Sequence, residues 1–157
     1  MGGMGFAIVL VLAILVVGSM FTGIGPHLLG RLVGTKIAVA KNEKCAEKLV
    51  ADLKQKDPTF NPDRSFIRGF NGIAFDTKAG RVYVGIIEGG ALRSAIYPIK
   101  YVVNYHSGDG WANNVQKFFL DITFSDVNSP LWRLWFGTDS QDRAEVMALM
   151  DVLIARS

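Results

Sequence analysis

The sequence has little of what disulfide frameworks and metal sites are built from. It contains one cysteine, Cys45, and two histidines among 157 residues. A single cysteine cannot form an internal disulfide, and no residues show the CxxC or HExxH spacing of a metal-binding motif. The composition therefore predicts neither a disulfide-stapled fold nor a metal site, and we expect no cofactor.

The sequence also lacks a recognisable catalytic set. Its paired glycines do not form the GxGxxG fingerprint that joins a strand to a helix in dinucleotide-binding folds. His106, Ser107 and Asp109 are residue types that a hydrolase uses, but neighbours on one strand and its turn point in different directions. We therefore expect no enzyme, and we keep a hydrolase that uses His106 and Ser107 as an alternative.

Positive charge is unevenly distributed along the chain. Residues 58–157 contain ten basic and ten acidic side chains, so the surplus behind the net charge of +3 lies in residues 31–57. Nucleic-acid binding favours a basic stripe on the folded domain itself. The charge pattern therefore predicts no nucleic-acid partner.

The opening of the chain is a long apolar run. Residues 6–24 are 19 residues without a charge, and at 1.5 Å per residue their helical length matches the roughly 30 Å hydrocarbon core of a bilayer. A cleavable signal normally has a shorter run preceded by Lys or Arg. A helix buried in a soluble core is the other alternative, but it needs a large protein around it. We expect a transmembrane anchor at residues 1–30.

The flanking charges predict the orientation of this anchor. The cations nearest to the run all follow it and none precedes it, so the positive-inside rule places the C-terminal part of the chain in the cytoplasm. The expected location is the cell (inner) membrane, with a single pass and a cytoplasmic C-terminal domain.

Residues 31–57 have the pattern of an amphipathic juxtamembrane helix. Ala38, Cys45, Leu49 and Leu53 share one stripe, and the helix should end at Asp57-Pro58. The helix could contact anionic lipid, or it could pack on the domain or a partner, an interpretation that its interleaved acids favour. The candidate lipid contacts are Arg31, Lys36, Lys41, Lys44 and Lys48.

Residues 58–157 change to the two-residue period of strands. Apolar and polar residues alternate in about six short runs, at residues 73–76, 82–86, 92–97, 99–106, 118–125 and 131–136. A capping-box spacing at Thr138 and Gln141 then begins an amphipathic helix. The predicted fold class is α+β: an N-terminal transmembrane helix, an amphipathic linker helix, and an antiparallel sheet or partial barrel of about six strands closed by a C-terminal helix.

Three segments of this domain resemble a known family. They are the opening hairpin GIAFDTKAGRVYVG, the strand and turn AIYPIKYVVNYHSGDG, and the last strand and helix LWRLWFGTDSQDRAEVMALMDVLIAR. Together they make residues 72–156 resemble the pleckstrin-homology-like (PH-like) domains of bacterial membrane-associated proteins. The resemblance implies a domain of usually seven strands that binds protein segments or lipid headgroups.

The aromatic run Leu131–Phe136 is the candidate binding strand. It is apolar on both faces, so one face needs a cover, and Arg133 lies at strand spacing from Trp135. The candidate partner-binding residues are Trp132, Arg133 and Trp135. We expect a membrane-anchored, non-enzymatic binding or scaffold protein, an accessory subunit of a membrane assembly with a protein partner or a second copy of itself; sensing of anionic lipid is the alternative.

Overall fold

The computed structural model describes residues 26–112, 114–128, 130–138 and 140–155. Within them, helix α1 (Pro26–Lys56) comes before the strands and helix α2 (Ser140–Ile154) follows them. The strands are β1 (Arg64–Arg68), β2 (Asn71–Asp76), β3 (Arg81–Glu88), β4 (Ala91–Pro98), β5 (Val102–Ala112), β6 (Val115–Phe124) and β7 (Leu131–Gly137). The described chain divides into two units between Lys41 and Asn42, and the unit that follows this division contains all of these strands.

The strands form two antiparallel sheets, with β1 to β4 in sequential order in one and β5 to β7 in the other. The prediction of about six strands in one sheet or partial barrel is therefore wrong, since the described residues contain seven strands and no closed barrel. β1 was missed because its terminal arginines hide the alternation of a five-residue strand. The second sheet was missed because a 3₁₀ turn at Ile99–Tyr101, where the pattern predicted a strand, separates β4 from β5.

The described helices also correct the predicted membrane anchor. Neither α1 nor α2 is long and apolar enough to cross a membrane. Lysines and acids interrupt the apolar residues of α1. The predicted span itself, residues 6–24, lies outside the described residues. A transmembrane helix, and with it the single-pass location at the inner membrane, is thus no part of the described fold.

The main core lies between the two sheets. Strand alternation turns Phe75 and Val84 of the first sheet, and Ile122 and Trp132 of the second, into one buried cluster. Three apolar residues of α2 close this cluster: Val146, Met150 and Leu153. Burial of these side chains is the main stabilising contribution to the fold.

The C-terminal part of α1 packs on the other face of the four-stranded sheet. Leu53 belongs to a second buried cluster with Tyr83 and Ala74. The Tyr83 hydroxyl lies 3.2 Å from the Leu49 carbonyl oxygen and 3.1 Å from a carboxylate oxygen of Asp52. Burial and the Asp52 charge raise the pKa of Tyr83 well above its ordinary value, so the hydroxyl stays a donor. This part of α1 thus covers the outer face of the four-stranded sheet.

The Tyr83 hydrogen bonds give a first prediction. We expect Tyr83→Phe to lower the free energy of unfolding by about 1 kcal/mol, because the ring stays buried while the donor to α1 is lost. The measurement is urea unfolding followed by circular dichroism. Tyr101→Phe is the matched control, since the Tyr101 side chain is exposed, and an equal loss in both variants would contradict a role for the Tyr83 hydroxyl.

Candidate functional site

The three-stranded sheet has one face in the core and one face turned away from it. Leu120, Ile122 and Leu134 are fully buried on the inner face. The residues between them point the other way, because successive side chains of a strand alternate. Leu131 and Trp135 on this outer face are 50% and 36% exposed.

Aromatic and cationic side chains contact one another on the outer face. The Phe119 ring lies at the centre, with its centroid 5.5 Å from that of Trp135 in an edge-on arrangement. The Arg133 guanidinium carbon lies 4.4 Å from the Phe119 centroid, and the His106 ring centroid lies 6.3 Å from it. We call His106, Phe119, Arg133 and Trp135 the outer-face cluster.

Two glycines of β5 make room for these rings. A Cβ atom on Gly108 would lie 2.7 Å from Cζ of Phe119, and one on Gly110 would lie 3.4 Å from Cη2 of Trp135. The register explains the first contact, since Gly108 is the cross-strand partner of Phe119. The two rings therefore lie beside backbone that carries no side chains.

Arg133 is held in place by its cross-strand partner Asp121. Its Nε and Nη2 atoms each donate a 2.7 Å hydrogen bond to a different carboxylate oxygen of Asp121. This fork-to-fork pair raises the pKa of Arg133 above its ordinary value. Because the two charges balance, the cluster presents rings and a guanidinium plane with little net charge.

Trp135 is fixed through its backbone by the side chain of Asn71. Asn71 Nδ2 donates to the Trp135 carbonyl at 3.0 Å, and the Trp135 N–H donates to Asn71 Oδ1 at 2.8 Å. The side-chain amide thus replaces the peptide group of a neighbouring strand. This contact satisfies the outward peptide groups of Trp135 and holds Trp135 in register with the cluster.

A groove of about 450 Å³ adjoins the cluster at Trp135. Its walls come mainly from the β1–β2 hairpin, the end of β7 and the start of α2, with single residues from α1 and β6. Two of its lining residues form an ion pair, in which Arg68 Nη2 lies 2.9 Å from a carboxylate oxygen of Asp142. Its larger side chains include Phe66, Phe70, Lys117, Trp135 and Phe136. The groove could receive one large side chain of a bound segment.

The three predicted partner-binding residues lie on different sides of the sheet. Trp132 is only 1% exposed and belongs to the core, with the Arg93 guanidinium carbon 4.2 Å from its ring centroid. Arg133 and Trp135 lie together on the outer face. Strand spacing groups Leu131 with Arg133 and Trp135, but it does not say which face of the strand is buried.

The predicted lipid contacts lie along α1. Lys41, Lys44 and Lys48 are exposed, and the ammonium group of Lys48 lies 3.4 Å from the carbonyl oxygen of Gly90. The side chains of Arg31 and Lys36 lie outside the described residues.

The structure does not bring the hydrolase candidates together. His106 contacts Phe119 on the outer face, so its neighbour Ser107 points to the opposite face. Asp109 accepts a hydrogen bond from the Gln116 side chain. No nucleophile and base meet among these three residues.

Two members of the cluster were missed as binding residues in the sequence. Phe119 was overlooked because the buried alternation in its segment uses Phe118, Leu120 and Ile122. The available signal is that Phe119 lies two residues before Asp121, so both side chains point to the same, outward face. A large aromatic residue at an outward position is a sign of a binding surface. His106 has the same outward position on β5.

A scan of protein-family models, a search of curated proteins and a search of solved structures each find no match to this chain.

Proposed function

We propose that this protein is a non-enzymatic binding module whose outer-face cluster docks an apolar segment of a partner protein. The observation that carries the proposal is the ordered cluster around Phe119 on a sheet face that no described helix or strand covers. α1 packs on the other sheet, through Leu53. The protein would then act as a scaffold or accessory subunit of an assembly.

The chemistry of the cluster favours a protein segment as its ligand. Trp and Arg residues in rigid settings contribute most to protein–protein affinity. Because Asp121 already neutralises Arg133, the cluster offers ring faces rather than a charge for a phosphate. The groove beside Trp135 would add a recess for one anchoring side chain.

We also propose that the domain is PH-like. Four antiparallel strands, three antiparallel strands and a C-terminal helix, in that order, support the resemblance. β1 supplies the strand that the sequence pattern lacks. Binding of protein segments is one of the two activities that this resemblance implies.

The test compares two tryptophan variants of the full chain. After the partner is captured and identified by cross-linking, we expect Trp135→Ala to weaken its affinity at least tenfold, equivalent to about 1.4 kcal/mol. The control is Trp111→Ala, because Trp111 is 75% exposed and does not belong to the cluster. Trp111 lies five residues after His106 on β5, so strand alternation turns the two side chains to opposite faces. Circular dichroism would verify that both variants fold. Wild-type affinity in Trp135→Ala would contradict the proposal.

Sensing of anionic lipid stays an alternative because Lys44 and Lys48 are exposed on α1. Each cation near an anionic surface contributes about 1 kcal/mol. Flotation of the full chain with vesicles should then increase with their content of anionic lipid, and decrease in Lys44→Gln/Lys48→Gln. Flotation that is independent of both changes would exclude this alternative.

A further inference from the structure

The groove beside Trp135 contains one cation that is not neutralised within the described part of the chain. Lys117 lines this groove and is half-buried. Its ammonium group forms no hydrogen bond or ion pair with any residue that the structure describes. The other two charged residues of the lining, Arg68 and Asp142, pair with each other at 2.9 Å. The lining therefore carries one net positive charge, and it lies on Lys117.

The strand neighbours of Lys117 explain why its charge has no partner. Its cross-strand partner on β5 is Gly110, which has no side chain. The pairing of β6 with β7 begins only at the next residue, opposite Gly137. Asp121, four residues further along the same face of β6, already accepts both hydrogen bonds from Arg133. Because partial burial weakens the screening by water, an anionic group brought beside Lys117 would be attracted more strongly than on an open surface.

The remaining large side chains of the groove are mainly aromatic. Four of them line it: Phe66, Phe70, Trp135 and Phe136. Phe70 and Trp135 are 40% and 36% exposed, so their rings are accessible to a ligand. The volume of about 450 Å³ falls within the range of about 300–1,000 Å³ for pockets that hold small ligands. The groove is thus large enough for an aromatic ring together with a polar group beside it.

We infer that the groove binds an aromatic side chain of the partner segment together with the carboxylate of an adjacent Asp or Glu, which pairs with Lys117. The inference rests on the proposed function, because it names the anchoring chemistry of the segment that the outer-face cluster docks. Aromatic rings favour edge-on and offset packing against one another, which the aromatic lining offers. A carboxylate fits better than a phosphate, since phosphate sites combine several cations or the fork of an arginine.

Two small probes test the groove before the partner is known. Indole-3-propionate has an aromatic ring and a carboxylate, and indole-3-propionamide has the same ring with a neutral amide. In NMR titrations of the labelled full chain, both should shift the backbone amide resonances of Gly69 and Gly137, which line the groove. At low salt we expect the carboxylate probe to bind about threefold more tightly, as a partly exposed ion pair provides. High salt should reduce this preference.

Substitutions at the groove show whether Lys117 causes the preference. Lys117→Gln should reduce the affinity for the carboxylate probe to that for the amide probe. Lys100→Gln is the matched control, because Lys100 is an exposed lysine outside the groove, and it should keep the preference. Phe70→Ala should weaken both probes alike, and circular dichroism would verify that each variant folds. Equal affinities for the two probes in the wild type, a preference that survives Lys117→Gln, or probes that shift no groove resonance would overturn the inference.

The captured partner separates this inference from the proposed function. We expect Lys117→Gln to weaken binding of the partner at least threefold at low salt, and Lys117→Arg to retain it. Wild-type affinity in Lys117→Gln, together with weakened binding in Trp135→Ala, would overturn this inference alone. Wild-type affinity in Trp135→Ala would contradict the proposed function, whatever the probes show.

Discussion

Trp132→Ala is expected to lower the free energy of unfolding by about 3–5 kcal/mol, as large-to-small substitutions of buried aromatic residues do. Trp132 is fully enclosed in the core between the two sheets. Its ring packs edge-on against Tyr97, with centroids 6.5 Å apart, and Tyr97 in turn stacks on Phe124 at 4.1 Å. The substitution would remove the ring, leave a cavity and release Arg93 from its contact.

Urea unfolding of the full chain measures this effect. The matched control is Trp111→Ala, which we expect to change the free energy of unfolding by less than about 0.5 kcal/mol, because the side chain is mostly exposed. Similar losses for the two substitutions would contradict the assignment of Trp132 to the core. That result would also reopen Trp132 as a partner-binding residue.

Asp76→Ala is expected to lower the free energy of unfolding by about 3 kcal/mol, because it breaks a buried ion pair and leaves polar groups unpaired. Asp76 is 4% exposed and is the buried charge of the described core. Its carboxylate accepts hydrogen bonds from Arg81 Nη2 at 2.7 Å, from the Ala79 N–H at 3.1 Å and from the Asn61 N–H at 3.2 Å. Arg81 also pairs with Asp57, so the pair joins the β2–β3 hairpin to the segment after α1.

The same network makes stability depend on pH. Burial alone would raise the pKa of Asp76, but hydrogen bonds from Arg81, Ala79 and Asn61 outweigh it and hold this pKa below its ordinary value. Hydrogen bonds from Thr59 lower the pKa of Asp57, and hydrogen bonds from Thr77 lower the pKa of Asp63. A lowered folded-state pKa gives stability that is present above the unfolded-state pKa of about 4 and is lost as the pH falls through the folded-state value.

Unfolding measured between pH 7 and pH 2 checks both parts of this prediction. The wild type should lose stability mainly below about pH 4, and Asp76→Asn should be less stable at pH 7 with a shallower decline below pH 4. Asp109→Asn is the control, since its side chain is exposed. A decline in Asp76→Asn as steep as in the wild type would show that this carboxylate is not part of the acid sensitivity.

Local patterns in the sequence predict the individual strands and helices of this fold better than they predict how these elements are arranged. The alternation of Phe118, Leu120, Ile122 and Phe124 predicts a strand with one buried face, and the structure has β6 there with the last three of these residues buried. By contrast, the 3₁₀ turn that separates the two sheets is set by nonlocal contacts, such as the 2.8 Å bond from the Ile99 N–H to the Gly80 carbonyl. No periodicity within residues 99–106 reports that contact.

In the candidate site, too, the sequence predicts the spacing within one strand but not the contacts between strands. Strand spacing alone places Arg133 and Trp135 on one face, and this much was available from the sequence. The contact of both residues with Phe119 depends on the register between β6 and β7, and the space for Phe119 depends on Gly108 across the β5–β6 ladder. Register between strands is fixed by the assembled core, so the cluster could not be predicted from one segment.

Site-specific photo-cross-linking tests the docking role of the outer face most directly. A photoreactive phenylalanine would replace Leu131 on the outer face or, as a control, Val152 on α2, two positions of similar exposure. In cells that express the full chain, we expect a discrete protein adduct from position 131 that Trp135→Ala abolishes, and no such adduct from position 152. Adducts of equal yield from both positions, or an adduct at position 131 that survives Trp135→Ala, would contradict the outer-face cluster as the docking surface.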